Sequence, residues 1–229
     1  MLHCPARVSL DKRNTRLQTE FVDMQIKNLG PQVARVWDDL RPTTKRLLAG
    51  ALKTGSRPPS QSQSPRYHYD AHADWELSRL LAALDERSKS KIDSTDAPEK
   101  SDALQLAETC ASILEEQSGS AEVFIQLATR SIEQADYNRL EKLADILFER
   151  FSPAEIAEVV RQTELPQIRA IAFETLAMLP VDLIAQLLDD SLYADIAVNS
   201  LEQKAFEFDS EEARELLERL ENEQPTGGN

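Results

Sequence analysis

Glycine is scarce in this 229-residue chain. The six glycines stand at 30, 50, 55, 119, 227 and 228, and no phosphate-cradling glycine loop or Gly-x-Ser-x-Gly nucleophile elbow can be written from them. Cysteine is scarcer still. Cys4 and Cys110 are too few for a disulfide framework, and they lack the paired spacing of a structural zinc site. Aromatic residues make up 6% of the chain, and the only histidines are His3, His68 and His72. Any nucleophile–histidine pair would need one of those three. No uncharged stretch approaches the roughly 18–20 apolar residues of a membrane span. Residues 1–7 also lack the apolar core of about 7–15 residues that marks an export signal. The expectation is a cytoplasmic chain with reduced thiols, in which Cys110 acts as a small buried hydrophobe on a helix face. Neither an enzyme nor a cofactor is expected.

What the chain has in abundance is charge, unevenly placed. Charged residues make up 29% and the formal net charge is −14. Residues 1–66 hold 12 Lys/Arg and 5 Asp/Glu, whereas residues 67–229 hold 14 and 35. A cationic arm joined to an anionic body has three outcomes: the arm lies on the body, binds an external polyanion, or stays free.

Helical spacing of apolar residues recurs along the chain. In the first 52 residues it appears as Leu17, Phe21 and Met24, then Val33, Val36, Trp37 and Leu40, then Leu47, Leu48, Ala51 and Leu52. Gly30 with Pro31, and Arg41 with Pro42, separate these patches, because proline suits a first helical turn and not an interior. Residues 1–52 therefore read as a flexible, basic, helical arm. Residues 53–66 carry no apolar side chain except proline and read as a disordered linker. A short helix follows within 67–88, from about Asp74 to Arg87, with Trp75, Leu80, Leu81 and Leu84 as its apolar residues. Residues 89–100 form a second linker. From 101 to 222 the pattern is almost wholly helical, with Leu104, Ala107, Cys110, Ala111, Ile113 and Leu114 as one stripe. Phe124, Leu127, Ala128 and Ile132 form the next, Ser118, Gly119 and Ser120 supply turn and cap between the two, and residues 223–229 fray.

Within this body, residues 137–164, 165–192 and 193–220 superpose at an offset of 28. Leu140, Ile168 and Ile196 coincide, as do Ala144, Ala172 and Ser200, then Ala157, Ala185 and Ala213, then Val160, Leu188 and Leu216. The breaks repeat too. Ser152, Pro153 and Glu155 form a capped helix start, Pro180 interrupts the chain 27 residues after Pro153, and Ser210 with Glu211 and Glu212 repeats the cap-and-acid chemistry. Residues 165–176 resemble the first helix of a HEAT repeat, on the strength of Pro166, Ile168, Arg169, Ala172 and Leu176, and 165–192 is the unit that matches best. The resemblance extends over 137–220 and implies an α-solenoid that holds another macromolecule and carries no catalytic residue. The physics of stacking points the same way, since a two-helix unit cannot cover its own apolar stripe and must lie on its neighbours. Lys204, at the place of Phe148 and Leu176, and Glu212, at the place of Ile156 and Ile184, mark the last unit as a polar cap. The fold class expected is all-α: a right-handed stack of helical hairpins carrying the arm.

The function that follows is a non-enzymatic interaction scaffold whose acidic surface takes a basic or amphipathic segment of another protein. The candidate contact residues are Glu141, Asp145, Glu149, Glu174, Asp189 and Asp190. A second reading has the arm bind nucleic acid or an anionic surface through Arg41, Lys45, Arg46, Lys53 and Arg57, beside Trp37. A third places a metal-dependent activity at His68, Asp70, His72 and Asp74, whose spacing suits a divalent ion on either a strand or a helix. The plainer account of that cluster is that Asp70 or Asp74 caps the next helix. Adjacent acids such as Asp38 and Asp39, or Glu115 and Glu116, point about 100° apart on a helix and read as solvated faces.

Overall fold

The computed structural model describes residues 22–53, 69–89 and 97–223. Every element in them is helical and none is a strand, so the chain is all-α. It divides into two compact units, residues 1–118 and residues 119–229. No single helix among the described residues is long and apolar enough to cross a membrane.

The first unit contains α1 (residues 22–28), α2 (Pro31–Asp39), α3 (Pro42–Lys53), α4 (Ala71–Lys89) and α5 (Ala97–Gln117). Pro31 and Pro42 open α2 and α3, where the missing N–H has no intrahelical partner to lose. α2 packs on α4, and α3 packs on α4 and α5. Helices α2 and α3 of the expected flexible arm are therefore packed on the helices that follow. The hydrogen bond of Gln32 to Glu86 (2.8 Å), the ion pair of Arg79 with Asp39 (3.6 Å) and that of Arg41 with Glu76 (3.0 Å) run in opposite senses along α2 and α4, which makes the pair antiparallel.

Several boundaries and faces differ from the sequence expectation. Val22, Ile26 and Leu29 form the buried stripe of α1, while Met24 is 65% exposed. Helix α4 begins at Ala71, three residues before Asp74, because Asp70 accepts the Ala73 N–H (2.9 Å) as its cap. Leu77, Leu80, Leu81 and Leu84 fill its inner face, and Trp75 faces outward at 54% exposure. Helix α5 takes in residues 97–100 of the expected second linker. It packs along α4, so the division between units falls at Ser118 and not near residue 101. Cys110 is buried on its inner face. Leu17, Phe21, Cys4, the linker residues 54–66 and the tail 224–229 lie outside the described residues.

One polar cluster joins α3 to α4. Glu76, 2% exposed, accepts the Arg41 backbone N–H (2.7 Å), the Arg41 Nε–H (3.0 Å) and the Thr44 hydroxyl. The two Nη atoms of Arg41 reach Asp70 at 3.0 and 2.7 Å, a bidentate fork on the carboxylate. Burial pushes the Glu76 carboxyl up, but the Thr44 hydroxyl and Arg41 outweigh it and hold the group below its ordinary value. Arg41, with help from the Ala73 N–H, holds Asp70 far below the usual carboxylate range. Trp37 is fully buried and gives its Nε1–H to Asp23 (2.7 Å), whose carboxylate also takes Lys27 (2.7 Å), so α1 is pinned to α2.

The second unit runs α6 (Ala121–Glu133), α7 (Tyr137–Arg150), α8 (Pro153–Gln162), α9 (Pro166–Met178), α10 (Val181–Ala185) with a 3₁₀ turn (Gln186–Asp189), α11 (Ala194–Glu207) and α12 (Glu211–Glu223). Asp136, Ser152 and Ser210 cap α7, α8 and α12, accepting from Arg139, Glu155 and Ala213 N–H at 3.1, 3.2 and 3.3 Å. Glu155 does more than complete the capped start of its own helix. Its carboxylate takes the Ala121 N–H at 2.8 Å, closing the start of α6 from another helix, and the Ser120 side chain makes no cap bond. α6 packs on α7 and α8, α7 on α9, α8 on α9, α9 on α11, and α11 on α12. The closest pairing is thus α8 with α9, across the boundary of the 28-residue units, and α7 turns a corner into α8. The second helix of the 165–192 segment is brief. After Ala185 the chain tightens into the 3₁₀ turn, and Asp190 accepts the Leu192 N–H (2.9 Å) to lead into α11.

Both tryptophans lie in the first unit, so their fluorescence reports on it alone. Glu76→Gln is expected to lower the stability seen by tryptophan in a urea titration by about 2 kcal/mol, since it weakens charge-assisted bonds at a buried site. The pH dependence has a definite sign. Glu76 and Asp70 are depressed in the folded state, so their stabilisation is present above their ordinary values of 4.5 and 3.8 and drains away as pH falls below that range. The tryptophan-detected urea midpoint should fall on acidification from pH 5, and fall less in the Glu76→Gln variant.

Candidate functional site

The two units differ sharply in charge. Residues 1–118 hold 17 Lys/Arg and 17 Asp/Glu, and residues 119–229 hold 9 and 23. The second unit therefore carries the whole of the −14, and its exposed surface is where chemistry of one sign is concentrated.

On that unit α7, α9 and α11 lie side by side, and their outward faces share a pattern. Each helix shows an exposed acid and, three or four residues later, an exposed large apolar side chain near its C-terminal end. The pairs are Asp145 with Phe148, Glu174 with Met178, and Glu202 with Phe206. Phe148 is 45%, Met178 42% and Phe206 91% exposed. Phe208, in the turn after α11, is exposed as well. Scattered exposed apolar residues are ordinary on a protein surface. The same acid-then-apolar step on three neighbouring packed helices is not scatter, and a phenylalanine almost wholly in water contributes little to the fold.

Two polar contacts hold the third helix in this row. Lys204 donates to the Ala177 carbonyl (3.0 Å) at the end of α9, and its ammonium lies 5.9 Å from the centre of the Phe208 ring. This side chain was expected to mark a solvated end of the array. Instead it satisfies a carbonyl left open in the last turn of α9, the favourable place for a cation. At the other end of α11, the Tyr193 hydroxyl donates to Glu158 of α8 (3.1 Å). Arg161, Gln162 and Tyr193 pull the Glu158 carboxyl down to about 2, and burial with Glu158 alongside pushes the Tyr193 phenol up.

All six acids expected at a partner site are exposed, and they fall on three different elements. Glu141, Asp145 and Glu149 follow one another at four-residue steps along α7, a stripe of like charge that costs a few tenths of a kcal/mol per neighbouring pair. None of the three makes an ion pair among the described residues. Glu174 is on the adjacent α9. Asp189 and Asp190 are apart from these, in the turn before α11, where the Asp190 carboxylate shapes the chain. Glu202, Phe148, Met178 and Phe206 were not singled out from sequence. Phe148 had been aligned with Leu176 as an inward residue, and the offset of 28 obscured its exposure. A step of 28 between Met178 and Phe206 was available as a signal.

The other candidate sites are placed as follows. Asp70 caps α4 and pairs with Arg41, Asp74 accepts the Tyr69 hydroxyl, and His72 lies edge-on to Trp75 with ring centres 6.0 Å apart. His68 lies outside the described residues, and among those described no group of three His, Cys, Asp or Glu side chains is arranged to hold a metal ion. In the basic cluster Arg41 is held by Asp70 and Glu76, and Lys45 sits over the Trp37 ring at 5.2 Å. Arg46 Nε donates to the Pro42 carbonyl (3.1 Å). Arg57 and the Lys53 side chain lie outside the described residues.

No family model, no curated protein and no solved structure matches this chain.

Exposure and burial separate stability from surface here. Phe206→Ser should change the thermal midpoint of far-ultraviolet circular dichroism within the range of an exposed substitution, about 0.5 kcal/mol. Phe124→Ala should cost about 3–5 kcal/mol in the same measurement, because Phe124 is buried and meets the Phe151 ring edge-on at 5.8 Å.

Proposed function

We propose that this protein is a non-enzymatic docking scaffold, working in a reducing, cytoplasmic setting, and that the outward face of α7, α9 and α11 receives a basic, amphipathic segment of another protein. The three helices belong to a HEAT-like stack in which the odd-numbered helices run the same way. One contact supports that orientation for α9 and α11. The Lys204 bond to Ala177 joins the C-terminal ends of α9 and α11. Phe148, Met178 and Phe206 then line one edge, backed by a parallel row of carboxylates.

The observation that carries this reading is the threefold recurrence of Asp145–Phe148, Glu174–Met178 and Glu202–Phe206 on packed neighbours. An apolar patch rimmed with charge of one sign marks an interaction surface, and its charge selects the complementary partner. Acids held about 6 Å from exposed apolar anchors fit lysine or arginine beside a bulky apolar residue.

The test is capture from a cell extract on the immobilised full chain, compared with Phe148→Ala, Met178→Ala and Phe206→Ala combined. The intact face is expected to retain proteins with lysine- or arginine-rich segments and to release them as salt approaches the molar range, where the Debye length shrinks to about 3 Å. Retention of the same set by the triple variant, or of nothing above background by the intact chain, defeats the proposal.

A further inference from the structure

We propose that a cavity in the first unit, between the α1–α2 turn and α4, binds a primary alkylammonium, either the side chain of a lysine from another molecule or a free alkylamine. The cavity has a volume of about 240 Å³. Leu29, Val33 and Ala83, all buried, supply its apolar lining, and Gln32, Glu86 and Arg87 supply its polar part. Gly30 borders it without a side chain, and a methyl group built there would meet nothing nearer than the Arg87 Nε at 3.9 Å. The space beside the turn is therefore open. Sites for drug-sized ligands run to roughly 300–1,000 Å³, so a cavity of this size suits a single side chain or a molecule no larger. It belongs to the first unit and does not rest on the docking face of α7, α9 and α11.

Charge selects the ligand. Glu86 and Arg87 both line the cavity, but their charges are not equally answered. Arg87 meets Glu99 of α5 at 3.1 Å. Glu86 accepts the neutral Gln32 amide at 2.8 Å and makes no ion pair among the described residues. Glu86, Arg87 and Glu99 together leave one negative charge in excess, and it stands on the cavity wall. The Gln32 amide fixes that carboxylate beside the start of α2 and occupies one of its roughly four acceptor positions, so acceptors remain for the three N–H donors of an ammonium. The backbone does not tip the balance. α1 ends at the turn and Pro31 opens α2, so a negative helix terminus and a positive one both border the cavity. An alkylammonium lays its methylenes along Leu29, Val33 and Ala83 and keeps its head at Glu86, as lysine does where an apolar surface meets a polar edge. An anionic ligand would face Glu86 across from an arginine already paired. A neutral chain would cover the apolar lining and leave the carboxylate with less water and no counter-charge.

The test titrates the isotope-labelled full chain with n-butylammonium chloride at constant ionic strength and follows its backbone amides by NMR. The amides of Leu29, Gln32, Val33 and Glu86 should shift together and saturate. n-Butanol keeps the chain without the charge and methylammonium keeps the charge without the chain, so each should bind at least about tenfold more weakly, and butyrate should bind more weakly than n-butanol. Glu86→Gln, at an exposed position, should weaken n-butylammonium about tenfold and leave n-butanol unchanged, with the tryptophan-detected urea midpoint showing that the variant is folded. Should the variant unfold, the ranking of the ligands on the unaltered chain decides. N-acetyl-lysine methylamide separates the two sources. Affinity close to that of n-butylammonium assigns the cavity to a lysine of another protein, and a loss of about tenfold or more assigns it to a free amine. Equal affinity for n-butanol, tighter binding of butyrate, no saturable shift at these amides, or n-butylammonium binding unchanged by Glu86→Gln overturns the proposal. None of these results bears on the docking face, which the capture experiment judges separately.

Discussion

No helix in this chain can hide its own apolar stripe, and the architecture is the set of ways in which neighbours do it instead. Helices of ten to fourteen residues are marginal alone in water. α8 shows the remedy. Ile156, Ala157 and Val159 are all fully buried, although the helix spans only Pro153–Gln162, because both α6 and α9 pack on it. The same demand explains why Glu155 leaves its own helix to close the start of α6, and why Lys204 closes the end of α9. Once helices are pressed side by side, their terminal N–H and C=O groups are near side chains from the next helix. Those side chains become the available partners. α12 packs on α11, with Ala213 buried, and turns Glu211, Glu212, Glu215, Glu218 and Glu221 to water.

The first unit is organised by a different constraint, the burial of a charge. Glu76 at the inner face of α4 is compatible with folding because Arg41 and Thr44 supply donors from α3, and Arg41 is in turn oriented by Asp70. Leaving any of these out would strand a polar group in a dry environment. The cationic character of the N-terminal region is therefore partly structural. Arg41 and Lys45 serve the packing of their own unit, and with residues 69–118 included the unit is electrically balanced. The imbalance that gives the chain its acidity is left to α6–α12, where acids and exposed apolar residues alternate on three adjoining helices.

Much of the fold was legible in the residues. The proline and cap positions located the starts of α2, α3, α8, α9 and α12, because a missing N–H and a side-chain acceptor act within one turn and need no tertiary context. The all-helical class followed from spacing alone. The faces of short helices were less legible. Met24 and Trp75 both sit at plausible core positions, yet α1 and α4 are rotated so that Ile26 and Leu77 go in, and nothing local to either helix decides that rotation. The division at Ser118 was missed for a related reason. Ser101–Gln117 has the same composition as the helices beyond it, and only its packing against α4 assigns it to the first unit. Asp145 and Glu174 of the candidate face were picked out by charge, and Glu202 was not. The apolar half was not, since Phe148, Met178 and Phe206 look like core residues wherever they occur.

The amino-acid order by itself determined that the chain is helical, where the helices opened by proline or a side-chain cap begin, and that its negative charge gathers toward the C-terminal half, since these depend on interactions within a few residues or on composition. Only the tertiary structure decided which helices pair, that Arg41 answers Glu76, and that Phe148, Met178 and Phe206 remain exposed on neighbouring helices. Those outcomes turn on the competition among many similar stripes for a limited number of neighbours, and that competition is settled when the helices pack together.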